Sequence, residues 1–155
     1  MSSFADGAVM RVSMPWLGTF AFNMARGSWR KEGDWEMPFQ GRAQYVADYG
    51  LWFGFSKQAP CDLCAADLNV VDAEPAHRHV WTDIDGLPDY ACKFSGSSYL
   101  SYLGCGRFCV TRLYRNDHNK NVAVVTAVEA MPGAEAGEIQ MVKKGVTVEK
   151  KGTCQ

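Results

Sequence analysis

The stretch from Tyr45 to Phe55 constrains the fold more than any other part of the chain. Aromatic rings at positions 49, 52, 53 and 55 suit a pleated, buried surface, and they predict a β-strand. Gly50 and Gly54 weaken that strand, because glycine brings no side chain to pack. A strand of this kind needs neighbours, and the flanking sequence supplies candidates. Gly33-Asp34 is a turn signal, and Trp35 to Phe39 reads as a short strand cut by Pro38. His79 to Ile84 reads as another strand, closed by Asp85-Gly86. Between them, residues 56–78 read as a long loop holding Pro60, Pro75 and the Cys61-Asp62-Leu63-Cys64 pair.

Elsewhere the period is divided. From Tyr99 to Arg115, helical spacing puts Cys105, Phe108 and Cys109 on one face, while alternation from Phe108 to Tyr114 suits a strand. Val122 to Met131 is an apolar helix or strand stopped by Pro132-Gly133, and Ala134 to Lys144 reads as a helix. Residues 1–30 show no sustained period. The expected class is α+β, with antiparallel strands and a few helices. At 155 residues the chain suits a single domain, 1–155, with a frayed tail from about 145.

Hydrophobic residues at 47% and charged residues at 21% match a globular protein and exclude a disordered or fibrous one. Sixteen basic and seventeen acidic side chains leave a net charge of -1, so no global field draws the chain to nucleic acid or membrane. The longest apolar run, Val122 to Val128, falls far short of the roughly 20 residues of a membrane-spanning helix, so no transmembrane anchor is expected. Met1 to Val12 contains Asp6 and no continuous apolar core, which argues against a signal peptide. Six cysteines would suit a secreted disulfide framework, but without a signal peptide reduced thiols are the expectation.

Three side-chain constellations carry possible chemistry. Cys61 and Cys64 have the two-residue spacing of a zinc knuckle, and His77 and His79 would share a face on a strand; Cys92 is a spare ligand. A structural zinc held by Cys61, Cys64, His77 and His79 stands against a plain reading of a packed loop beside an exposed strand. Cys105, between Gly104 and Gly106, would be an activated thiol if a helix began there, since unpaired N–H groups favour a thiolate. The plain alternative is a buried structural cysteine. Arg107, Arg112, Arg115 and Lys120, opposed only by Asp117, form a basic cluster that would meet phosphate or RNA, or else a solvated face.

Taken in order, these segments resemble the lecithin:retinol acyltransferase-like family of H-box/NC proteins. Lys31-Glu32-Gly33-Asp34-Trp35 is similar to the family's K-x-G-D-hydrophobic opening, and Asp48-Tyr49-Gly50-Leu51-Trp52-Phe53-Gly54 to its H-box. Gly104-Cys105-Gly106-Arg107-Phe108 resembles the NC box, and Val110 to Tyr114 the V-T-x-L-R-Y that follows it. The resemblance implies a permuted papain-like fold, an antiparallel sheet packed against a nucleophile-type helix that starts at Cys105. Some picornavirus 2A proteins are of this type and of similar size, and the terminal Gln155 suits release by a viral protease that cuts after Gln.

By position, Cys105 takes the nucleophile's place and Asp48 that of the general-base histidine. A carboxylate of about 3.9 facing a thiol of about 8.5 is mismatched by roughly 4.6 pKa units, or about 6 kcal/mol for full proton transfer. Gly104, Gly106 and Arg107 also depart from the box. The resemblance therefore implies a non-enzymatic viral 2A-type protein that binds host or viral partners during replication, in the cytoplasm of the infected cell and at replication membranes. A lipid or membrane surface and RNA are further partners it allows. The alternatives are a working thiol acyltransferase or phospholipase, with Cys105 as nucleophile and His79 or His77 as base, and the zinc-stabilised interaction module.

Overall fold

A computed structural model describes residues 2–5, 9–58, 61–69, 74–82, 93–115 and 121–150. Twelve strands are present among the described residues, and none of those residues is helical. The expected α+β class is overturned, and with it the papain-like arrangement of a sheet against a nucleophile-type helix. Val122 to Met131 holds four valines and a threonine, and β-branched side chains favour the pleated surface over the helix. The chain divides into two compact units, Met1–Val80 and Trp81–Gln155.

The first unit holds β1 (Ser2–Ala5), β2 (Val9–Met14), β3 (Gly18–Asn23), β4 (Ser28–Gly33), β5 (Phe39–Val46), β6 (Leu51–Ser56), β7 (Leu63–Ala66) and all but the last residue of β8 (His77–Trp81). Their order across the sheet is β4-β3-β2-β1-β5-β6-β7-β8. Neighbouring pairs such as β2–β3 and β5–β6 are antiparallel, while β1 runs parallel to β5 through Ser2↔Gly41 and Ser3↔Arg42. Residues 1–30, without a period in the sequence, thus supply three strands and the start of a fourth.

The span expected to be one strand, Tyr45 to Phe55, is a hairpin. Tyr45 and Val46 end β5, residues 47–50 turn with Gly50 at φ 61°, and Leu51 opens β6. Tyr45 then pairs back with Trp52, their rings 5.3 Å apart. Every residue of β6 is buried, and so is every residue of β7, which lies inside the expected 56–78 loop. Met37, Phe39, Ala43, Trp52, Cys64, Ala66 and Leu68 form the core cluster, with Trp35 packed against it. Gly54 keeps this cluster closed: a methyl group there would press on the Phe39 ring at 2.8 Å.

The second unit is a four-stranded antiparallel meander in chain order, β9 (Lys93–Gly104), β10 (Arg107–Arg115), β11 (Asn121–Pro132) and β12 (Ile139–Lys150). In β10 the buried residues are Phe108, Val110, Arg112 and Tyr114, and their partners Val128, Thr126, Val124 and Val122 on β11 are buried too. The alternation read in the sequence is real, and its buried set forms a single face. The helix expected over Ala134 to Lys144 is instead a turn and the first half of β12. That strand stays paired with β11 as far as Lys150, beyond 145 where the sequence reading starts the tail. The bulge in the pairing leaves Lys144 between the partners of Val128 and Ala127, and its ammonium meets Glu129 at 2.8 Å.

Candidate functional site

The hairpin between β9 and β10 explains Cys105. Gly104 pairs with Arg107, so Cys105 and Gly106 are the two residues of the loop, with φ 51° and 73°. Two successive positive φ values make the type I′ connection that matches strand twist. A right-handed helix needs φ near −60°, so no helix begins at Cys105, and the thiol is exposed at the tip of the turn. Cys105 belongs to the second unit, whereas Asp48, in the β5–β6 turn, and His77 and His79, on β8, belong to the first.

The residues of the expected metal set have other uses. Cys64 is fully buried, donates its S–H to the Gly54 carbonyl at 3.5 Å, and has its pKa pushed up to about 12 by burial and, second, by Asp62. Cys61 donates to Gln40 Oε1 at 3.2 Å, and His77 uses Nε2 on the Pro38 carbonyl at 3.1 Å. His77 and His79 do share a face of β8, as their spacing requires. Among the described residues no group of three or more potential ligands gathers in the way a metal ion needs. Cys92 lies outside the described residues.

The basic cluster is split by the pleat. Arg107 and Arg115 are exposed at the two ends of β10, while Arg112 is 3% exposed on the buried face. A continuous phosphate-tracking stripe is therefore not formed by these three; Lys120 lies outside the described residues.

The structure brings forward a feature the sequence reading passed over, the β2–β3 turn Met14-Pro15-Trp16-Leu17. The Leu17 N–H donates to the Met14 carbonyl at 3.2 Å, and Trp16 has φ 69°. Proline at the second position and positive φ at the third define a type II turn, whose third position normally takes glycine. Holding a bulky L-residue there costs about 1–2 kcal/mol. That strain is not repaid by burial, because Trp16 is 97% exposed and Leu17 is 55% exposed.

The turn is nevertheless well anchored. Glu36 Oε1 accepts the Trp16 N–H at 3.3 Å, and Lys57 Nζ stands 3.8 Å from the other carboxylate oxygen. Gly18, at φ 90°, packs so closely on Gly33 that any Cβ would overlap the Gly33 carbonyl oxygen. Ser13 and Thr19, both buried, share a hydrogen bond of 3.0 Å, and Thr19 donates to the Trp35 carbonyl at 2.7 Å. The hint in the sequence was a proline followed by two large apolar residues and a glycine in a region without period.

These features define an all-β protein that presents a rigidly based, aromatic hairpin tip. The chain belongs to the family described as Protein of unknown function (DUF1668), whose model matches residues 3–148. No curated protein and no solved structure matches the chain.

Proposed function

We propose that this protein is a non-enzymatic binding protein that seats the Trp16–Leu17 tip in an apolar cleft of a protein partner. The observation that carries the reading is a nearly fully exposed tryptophan held in backbone strain that glycine would relieve. Strain retained at an exposed position points to use rather than to stability. Tryptophan is the side chain most often found at the energetic centre of protein interfaces. Glu36 and Glu74 share the single Lys57 at the base of the tip, and that excess of carboxylate makes an anionic membrane surface the less suitable partner. The viral setting rests on the motif resemblance alone and forms no part of this reading.

The test compares wild type, Trp16→Gly and Trp29→Ala. Proteins retained by wild type and by Trp29→Ala, but lost with Trp16→Gly, are purified and their affinities measured directly. A loss of about 30-fold or more on Trp16→Gly is expected for a residue at an interface centre. Equal affinity in all three proteins overturns the reading. Vesicle binding that depends on Trp16 would assign the tip to a lipid surface instead.

A further inference from the structure

A second feature lies at the opposite end of the β2–β3 hairpin from the tip. A cavity of about 340 Å³ is lined by Val9, Ala21, Asn23, Arg26, Ser28 and Arg30. Its origin is a cross-strand row: Arg11 on β2 pairs with Ala21 on β3, and Ala21 with Arg30 on β4. A small residue between two long ones leaves a hollow in the sheet face. Val9, Asn23 and Ser28 form the next row, so the hollow continues toward the β3–β4 turn, where Arg26 sits.

The groups around the hollow are arranged for an anion. Glu32 receives Arg11 Nε and Arg30 Nη2, both at 2.8 Å, one on each carboxylate oxygen. The Glu32 side chain is only 12% exposed, so it acts as a fixed strut that orients Arg30. A guanidinium has five N–H donors, and one bond to Glu32 leaves Arg30 with others to give. Asn23 Oδ1 accepts the Arg26 N–H at 2.9 Å, which makes the amide nitrogen of Asn23 the end left as a donor. Arg26 meets no carboxylate of the described residues, and Ser28 adds a hydroxyl. Arg26 and Arg30 are the two cations of the lining, which holds no carboxylate among the described residues, and their charge suits a phosphomonoester of about −1.5 to −2 at neutral pH.

We propose that this hollow binds the phosphomonoester of a small organic molecule. Arg26 and Arg30 are the phosphate-binding cations, Asn23 and Ser28 are neutral donors, and the Val9–Ala21 floor packs on the C–H surface of the ligand's short carbon skeleton. Guanidinium suits this role because its planar fork matches two phosphate oxygens at once. The hollow exceeds one phosphate group and lies at the small end of ligand-pocket sizes, which favours a small molecule over a macromolecule.

The test is calorimetric titration of the full chain with inorganic phosphate, glycerol phosphate and glycerol. Wild type, Arg26→Gln, Arg30→Gln and the second-unit control Arg115→Gln are compared at two pH values. Glycerol phosphate should bind at least threefold more tightly than inorganic phosphate, and glycerol should not bind. Each of Arg26→Gln and Arg30→Gln should weaken binding about tenfold, and Arg115→Gln should change it by less than twofold. Binding should strengthen from pH 5 to 7.5, because the second phosphate proton is lost near pH 6. Arg26 lies in a turn outside any strand, so its variant reports on binding even if Arg30→Gln unsettles β4. Binding that survives both pocket variants, no binding of either phosphate by wild type, or glycerol phosphate binding no more tightly than inorganic phosphate overturns the proposal.

Discussion

Strands β6 and β10 belong to different units and bury their residues in different ways. In β6, Leu51 to Ser56 are buried without a break, so both faces are covered. In β10 the burial alternates, with Phe108, Val110, Arg112 and Tyr114 on the covered face. The cause is visible in the neighbours. Opposite β6 stand Ala65, Ala66 and Cys64, small residues that let bulky rings of β6 lie close, and Gly54 gives way to Phe39. Opposite β10 the β11 residues repeat its own alternation. In these two strands the side chains follow the enclosure, continuous in β6 where both faces are covered and alternating in β10 where one is.

The sharpest way to break this comparison is to truncate adjacent residues in each strand. Phe53→Ala and Trp52→Ala, on opposite faces of β6, should each cost about 3–5 kcal/mol in urea unfolding. Thr111→Ala, on the less buried face of β10, should stay within about 0.5 kcal/mol. A Thr111 cost close to that of Phe53 would show that β10 is enclosed on both sides.

Alkaline titration probes the same enclosure through a proton. The folded pKa of Cys64, about 12, lies above its ordinary value of 9.0. The folded state therefore holds a proton that the unfolded state releases first. Stability is fully present below pH 9 and falls as the pH rises toward 12, by about 4 kcal/mol at most. Cys64→Ala should flatten this decline. In native alkylation Cys105, exposed in its turn, should react while Cys64 stays protected; equal rates would mean that β7 is open to solvent.

At the tip of the β2–β3 hairpin, two positions with positive φ should respond in opposite directions. Gly18→Ala should destabilise by about 2–3 kcal/mol, since it meets both a forbidden φ and the Gly33 carbonyl. Trp16→Gly should stabilise by about 0.5–1 kcal/mol, the strain relieved less the added chain entropy of glycine. Thermal melts of both variants check the pair, and a stabilising Gly18→Ala would show that the turn is not held as described.

Several elements were legible because their signal is local. The alternation from Phe108 to Tyr114 marked β10, and the valines from Val122 onward left a strand as one of two readings. His77 and His79 lie on one face of a strand, as spacing two residues apart requires. The candidate sites were less legible. Cys61 and Cys64 are close in sequence, but Cys64 is turned into the core and Cys61 toward Gln40. The arginine hollow was invisible, because Arg11, Ala21 and Arg30 meet only through strand register.

What this sequence determined by itself is where apolar faces lie and where the chain can turn, since side-chain size and backbone freedom are properties of single residues. Which of two structures those residues adopt was decided by tertiary pairing. Gly104-Cys105-Gly106 suits a helix start or a two-residue hairpin, and only the pairing of Tyr102 with Phe108 and of Gly104 with Arg107 makes it the hairpin. Gly50 could interrupt a strand or close a turn, and the return of Trp52 onto Tyr45 makes it the turn. A helix satisfies its backbone hydrogen bonds within a few residues, whereas a strand takes them from a partner elsewhere in the chain. An all-β protein therefore hides more of its fold from a reading made along the chain.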